Sequence, residues 1–240
     1  MQKMRLSRSN KKTILPIIMT ALQTVTIWLV PMLFGHQLQT TIHHTVDNQI
    51  LLILFVFMFN FLVFDRLTNK ISSPIFLSMV GITIVIAALS FSRIAPTIGL
   101  LLFTSLATLI PFILPSKHNW TGWLSFVISV TFILPTALFY VQCGFLSASF
   151  LKILAVPLLA NLFLFFPFFN LNFAYHTIFQ LILGIISALG IVSLHLGTYG
   201  ILGIGILMIA FLTEFFISQN QIRLCLATGL SLLFNLLFFL

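Results

Sequence analysis

The chain has 240 residues, of which 60% are hydrophobic, 6% are charged and 28 are Phe, and its mean hydropathy of +1.19 excludes a water-soluble globular domain. Three acids, Asp47, Asp65 and Glu214, stand against eleven Lys and Arg, which excludes a mechanism built on a cluster of carboxylates. The formal charge of +8 does not indicate nucleic acid, because five cations (Lys3, Arg5, Arg8, Lys11, Lys12) directly precede an apolar run, the pattern of a cytoplasmic anchor beside anionic lipid headgroups.

Residues 1–12 read as a basic cytoplasmic segment and residues 13–240 as a single transmembrane helical domain. The first apolar stretch, Thr13 to Phe34, is long enough to cross a hydrocarbon core of roughly 30 Å at about 1.5 Å per residue. No small-x-small cleavage site follows it, so it is expected to be a membrane helix rather than a leader. Polar and turn-forming residues then divide the chain into apolar blocks near 50–64, 74–92, 97–115, 122–142, 148–169, 177–194, 198–217 and 224–240. The expectation is an all-α polytopic membrane protein with about nine transmembrane helices and its N-terminus inside. Nine spans place Arg66, Lys70, Lys117 and Arg223 with the N-terminal cations on the inner side and leave only Arg93 and Lys152 outside, as the positive-inside rule requires of a cytoplasmic membrane of bacterial type. Pro74, Pro96 and Pro115 fit helix ends, whereas Pro135 and Pro157 fall within spans, where the lost hydrogen bond needs a substitute. Gly197, Gly200, Gly203 and Gly205 suggest close helix approach in the eighth span. Cys143 and Cys225 indicate neither a disulfide framework nor a zinc site.

Ionisable groups near the apolar zone are the first functional candidates. Asp65 follows the shortest block, Ile50 to Phe64, which reaches only about 22 Å; this would place Asp65 below the headgroups, beside a cavity, unless it simply closes the helix and pairs with Arg66 or Lys70. Asn60, Asp65 and Asn69 are five and four apart and could line one wall. Glu214 is the one acid inside an unbroken span, an ion-coupling candidate that otherwise snorkels to the interface. His36, His43, His44 and Asp47 read as a solvated outer loop, and no metal site is expected. Two Phe-rich helix ends, Phe59, Phe61 and Phe64, then Phe163, Phe165, Phe166, Phe168 and Phe169, are expected first as lipid-facing bulk and otherwise as the wall of a cavity for an isoprenoid chain. No common nucleotide, hydrolase or zinc signature is present.

The helix plan over most of the chain, with the stretch from Asn60 through Asp65-Arg66 to Asn69-Lys70, resembles the UbiA-type intramembrane prenyltransferases. The resemblance implies nine helices with two Asp-rich motifs at the cytoplasmic side that hold magnesium against an allylic diphosphate. Asp65 corresponds to the middle Asp of the first motif, Asn69 stands where its last Asp would be, Pro74 follows, and Asn60 matches the motif's Asn with a one-residue shift. Pro115-Ser-Lys117 is similar to the family's Pro-x-x-Lys region, and Pro135 to a proline of its fifth helix. The stretch answering to the second motif, Asn170 to His176 through Asn172, contains no acid. Magnesium is bound mainly through carboxylates and waters, so no ordinary metal-dependent prenyl transfer is expected, and magnesium enters only if the prenyltransferase reading holds. The substrate-binding residues implied are Asn60, Asp65, Asn69, Asn170 and Asn172, gathered at the inner ends of spans two, six and seven, with Arg66, Lys70 and Lys117 as cationic phosphate partners.

The leading expectation is therefore a degenerate prenyltransferase homologue or a lipid- or isoprenoid-binding relative, whose partners are membrane lipids and an isoprenoid chain and not nucleic acid. The alternatives are a small-solute or lipid permease biased by Asp65 and Glu214, or an accessory membrane subunit.

Overall fold

A computed structural model describes residues 2–37, 46–68, 73–93, 96–113, 120–169, 175–193 and 197–239. Among these the chain is almost entirely helical and has no strand: α1 (Gln2–Gln37), α2 (Val46–Thr68), α3 (Ser73–Arg93), α4 (Pro96–Ala107), α5 (Ile110–Ile113), α6 (Trp120–Ile128), a π-helical turn (Ser129–Ile133), α7 (Leu134–Cys143), α8 (Ala148–Ile153), α9 (Ala155–Phe169), α10 (His176–Ser193), α11 (Gly197–Phe216) and α12 (Asn220–Phe239). Seven helical stretches are long and apolar enough to cross a membrane, and two shorter apolar helices, Pro74–Ser90 and Thr97–Ala107, accompany them. The architecture is that of an all-α membrane protein.

Local chemistry explains the helix boundaries and breaks. Pro74 and Pro96 open α3 and α4, where a missing N–H is harmless. Between α4 and α5 the chain tightens, Thr108 N donating to Ser105 O and Leu109 N to Leu106 O. Within 120–143, Pro135 cannot donate to a carbonyl four residues back. The preceding turn widens instead, and Leu134 N–H reaches five residues back to Ser129 O; Thr136 Oγ1 donates to Phe132 O at 2.6 Å. The proline is thus absorbed by a π turn, and α6 to α7 forms one continuous span. Gly144, at φ 76°, ends it by donating its N–H to Tyr140 O, a left-handed closure that glycine adopts without strain.

α1 begins at Gln2, so the helix runs from the basic segment into the first span. Two expectations change. The second span does not end at Phe64 but runs to Thr68, and Gln49–Thr68 is a full 20 residues, so the shortness that was to sink Asp65 below the headgroups is absent. The Phe-rich helix ends are not lipid-facing bulk: Phe59, Phe64, Phe165 and Phe166 are fully buried, and Phe163 and Phe169 nearly so. Their rings interlock in edge and stacked contacts, with Phe126 reaching Phe64 (5.7 Å), Phe165 (5.2 Å) and Phe169 (5.8 Å). In a bilayer helices gain nothing from leaving water, so ring packing of this kind carries much of their association.

α1 lies centrally against α2, α7 and α12, and α9 packs on α6, α10 and α12. The contact of Gln221 Nε2 with Thr68 O at 3.4 Å puts the finish of α2 beside the start of α12. α10 rests on α9 and α11 on α12, but α10 and α11 meet each other sparsely. Correspondingly, 22% and 28% of their spans are buried, against 61% for Trp120–Cys143. Gly203 fits the close-approach expectation, for a Cβ there would lie 3.3 Å from the Phe234 ring; Gly205 does not, having nothing within 4 Å.

Candidate functional site

Of the residues expected to gather around Asp65, Asn69, Lys70, Lys117, Asn170 and Asn172 lie outside the described residues. Asn60 and Asp65 do not share a wall. Five residues on a helix turn through about 500°, leaving the two side chains about 140° apart. Asn60 is fully buried and points to α1, donating Nδ2 to Thr24 Oγ1 at 3.3 Å; its Oδ1 and both amide atoms of neighbouring buried Gln23 have no partner. Asp65 and Arg66 are half-buried in the last turn of α2, and the Arg66 guanidinium lies 5.8 Å from the Phe76 ring centroid, a cation–π distance. Between the end of α2 and the end of α9, the Phe64, Phe126 and Phe169 rings pack together.

A cavity forms where α10 and α11 diverge. A groove of about 240 Å³ lies between them, lined among others by Leu181, Ile185, Ala188, Met208 and Leu212, with Phe163 of α9 as its floor. Gly184 makes that floor fit, since a Cβ at this position would come within 3.1 Å of Phe163 Cε2. The rim is exposed, Ile185 at 52% and Met208 at 63%, so on a membrane-spanning helix pair the groove opens sideways to lipid.

The groove adjoins a narrow polar cleft of about 10 Å³, room for about one water, lined among others by Gln180, Thr213, Glu214 and Arg223 and sharing Phe163 with it. Glu214 Oε1 accepts from Gln180 Nε2 at 2.5 Å. This is how the structure disposes of the acid near the end of α11: the carboxylate turns toward α10 rather than snorkelling alone. Arg223, from the first turn of α12, is close enough to act electrostatically on both Glu214 and His176, and its Nη2 donates to Asn220 Oδ1. His176 is one helical turn before Gln180, hence on the same face, and its ring stacks on Phe166 at 5.2 Å. Three buried polar atoms here have no partner: His176 Nε2, Gln180 Oε1 and Arg223 Nε. Buried polar groups are normally satisfied, so three such atoms in one cluster mark a place where a water or ligand group belongs.

A second polar feature lies in the middle of the bundle. Asn161 of α9 donates Nδ2 to Thr131 Oγ1 in the π turn (3.0 Å) and accepts at Oδ1 from Ser231 Oγ of α12 (2.7 Å); Asn235 Nδ2 donates to Ser231 O (2.7 Å). Thr26 of α1 and Pro135 line the small cavity beside Asn161 and Asn235. The described residues contain no group of three or more His, Cys, Asp or Glu placed to hold a metal ion.

Sequence reasoning weighed acids and missed His176, Gln180, Arg223 and Asn161 as site residues. The available signal was the four-residue spacing of His176 and Gln180 in an otherwise apolar block, and a lone Asn within the run 155–169. No family model, curated protein or solved structure matches this chain.

Proposed function

We propose that this chain is a nine-span membrane protein, N-terminus inside, of UbiA-like helix plan, that takes the hydrocarbon chain of a membrane amphiphile, isoprenoid or acyl, into the groove between α10 and α11. The observation that carries this reading is the groove itself: apolar, floored by Phe163, laterally open, and ending at the Gln180–Glu214 cleft. An amphiphile needs that succession of an apolar slot and a polar terminus. The span count draws support from the two shorter apolar helices and from the nine-to-two cation distribution that nine spans produce. Metal-dependent diphosphate chemistry is left out, because Asp65 has no second acid nearby in sequence and Glu214 is engaged by Gln180.

The test is photolabelling of membranes with a lipid carrying a diazirine in its chain, followed by peptide mapping. Labelling concentrated on Phe163 and on the groove-facing residues of α10 and α11 supports the proposal. Labelling spread evenly over every lipid-exposed helix contradicts it.

A permease is the second reading, and one observation favours it: the hydrogen-bonded chain Thr131–Asn161–Ser231 beside a π turn and Pro135. Irregular backbone with polar side chains at membrane depth is how transporters build midplane sites. Substrate-dependent flux in proteoliposomes, abolished by Asn161→Leu, would establish it over the lipid-binding reading.

A further inference from the structure

The π turn before Pro135 leaves a backbone acceptor without a donor. Val130 O would ordinarily accept from the N–H four residues on, but Leu134 N–H is committed to Ser129 O. Five residues on stands Pro135, which has no N–H. Val130 is 2% exposed, so solvent does not serve this carbonyl either, and an unmet carbonyl at membrane depth is costly. The break borders a cavity of about 10 Å³, room for about one water-sized particle, whose lining includes Thr26, Val130, Thr131, Pro135, Asn161 and Asn235 and no charged residue.

Oxygen dominates what these residues present. Asn235 commits Nδ2 to Ser231 O at 2.7 Å, which leaves Oδ1 as the unpartnered end of its amide. Thr26 Oγ1 donates to Leu22 O at 2.9 Å and keeps its lone pairs. About one helical turn from Thr26 on α1, buried Gln23 Oε1 lacks a donor, as does Asn60 Oδ1 of α2. Among the described side chains of this layer Gln23 Nε2 is the one nitrogen without a partner, and the acceptors without one outnumber it. Water brings as many hydrogens as lone pairs and does not correct that excess. A cation draws on oxygens alone.

We propose that the cavity beside the π turn binds one dehydrated monovalent cation of sodium size, held by Val130 O, Asn235 Oδ1 and the hydroxyl oxygens of Thr26 and Thr131. Neutral oxygens can replace the hydration shell of a monovalent ion, as carbonyl rings do in channel filters. A divalent ion calls for carboxylates, which the cavity lining lacks. The ligands come from the spans Ile14–His36, Trp120–Cys143 and Asn220–Phe239, so the ion joins three helices at the proline break. The proposal goes beyond both functional readings, since holding an ion here requires neither a lipid nor transport.

Purified full-length protein in detergent, incubated with radiolabelled sodium and read by scintillation proximity, tests it. The wild type should bind one ion per chain, displaced by unlabelled sodium and not by N-methylglucamine, a cation too large for the cavity. Asn235→Leu keeps the side-chain shape and removes Oδ1; it should weaken binding at least about tenfold. Pro135→Ala keeps every liganding side chain and supplies the missing N–H with a residue that favours the helix; it should weaken binding at least about tenfold as well. Unchanged helical content and monodisperse elution report an intact fold in each variant. Absence of saturable sodium binding in the wild type would overturn the proposal and assign the cavity to a water. Binding undiminished by Pro135→Ala would also overturn it, placing the ion elsewhere. Sodium bound at equilibrium without sodium-dependent flux in proteoliposomes would support the site while counting against the permease, so the two ideas fail separately.

Discussion

The end of the bundle where α2 finishes and α12 begins contains two half-buried acids, and packing treats them in opposite ways. Around Asp65 the neighbouring helices close up. Phe64, Phe126, Phe165 and Phe169 interlock between α2, α6 and α9. Around Glu214 they part: α10 follows α9, α11 follows α12, and the gap between the two pairs becomes a groove. The same residue type thus serves as wall filling in one place and, at Phe163, as the floor of a cavity in the other. An acid within an apolar sequence does not by itself mark a site; the mutual angle of the helices around it decides.

The largest consequence of this contrast is in stability. Phe126 is fully buried at the centre of the closed region, and Phe126→Ala should lower the unfolding free energy by about 3 kcal/mol, since the rings around it would be left with a cavity. Met208, 63% exposed on the groove rim, should tolerate Ala with a change of under about 0.5 kcal/mol. Denaturant titration in detergent micelles measures both, and equal losses would mean that the two regions are packed alike. Asn161→Leu should be intermediate, about 1–2 kcal/mol, because Thr131 and Ser231 each lose a partner in an apolar interior where interhelical polar contacts have modest net value.

Helix positions were largely legible in the sequence. The apolar blocks fall where the helices are, and Pro74 and Pro96 start helices as expected. The candidate site was legible only in part. Asn60, Asp65 and Glu214 were visible as polar residues in apolar surroundings, but helix direction sends Asn60 to Thr24 and away from Asp65. The divergence of α10 and α11 depends on which partner each helix prefers, and no local pattern encodes that. Gln180 is a neutral amide, unmarked by any count of charges, and its importance comes only from its contact with Glu214 thirty-four positions away.

A smaller effect separates the two acids directly. Glu214→Gln should change lipid affinity about threefold, as a neutral amide replaces the carboxyl at the polar end of the groove. Asp65→Asn should leave lipid affinity within about twofold, as should prolonged treatment with a chelator, since the described residues near the groove hold no cluster of metal ligands. Lipid titration of each variant checks these outcomes; loss of binding on Asp65→Asn or on chelation would move the site back to the end of α2.

The most direct test of a lipid-holding groove is to fill it without disturbing the helices around it. Ala188 lines the groove and already carries a Cβ, whereas the adjacent Leu189 is 63% exposed and lies outside the lining. Ala188→Phe and Leu189→Phe therefore add an aromatic ring to the same turn of α10 in two different places. Lipid retained through detergent purification, counted by native mass spectrometry, should remain at one molecule per chain in the wild type and in Leu189→Phe and fall at least about tenfold in Ala188→Phe. Equal retention by all three proteins would contradict the account.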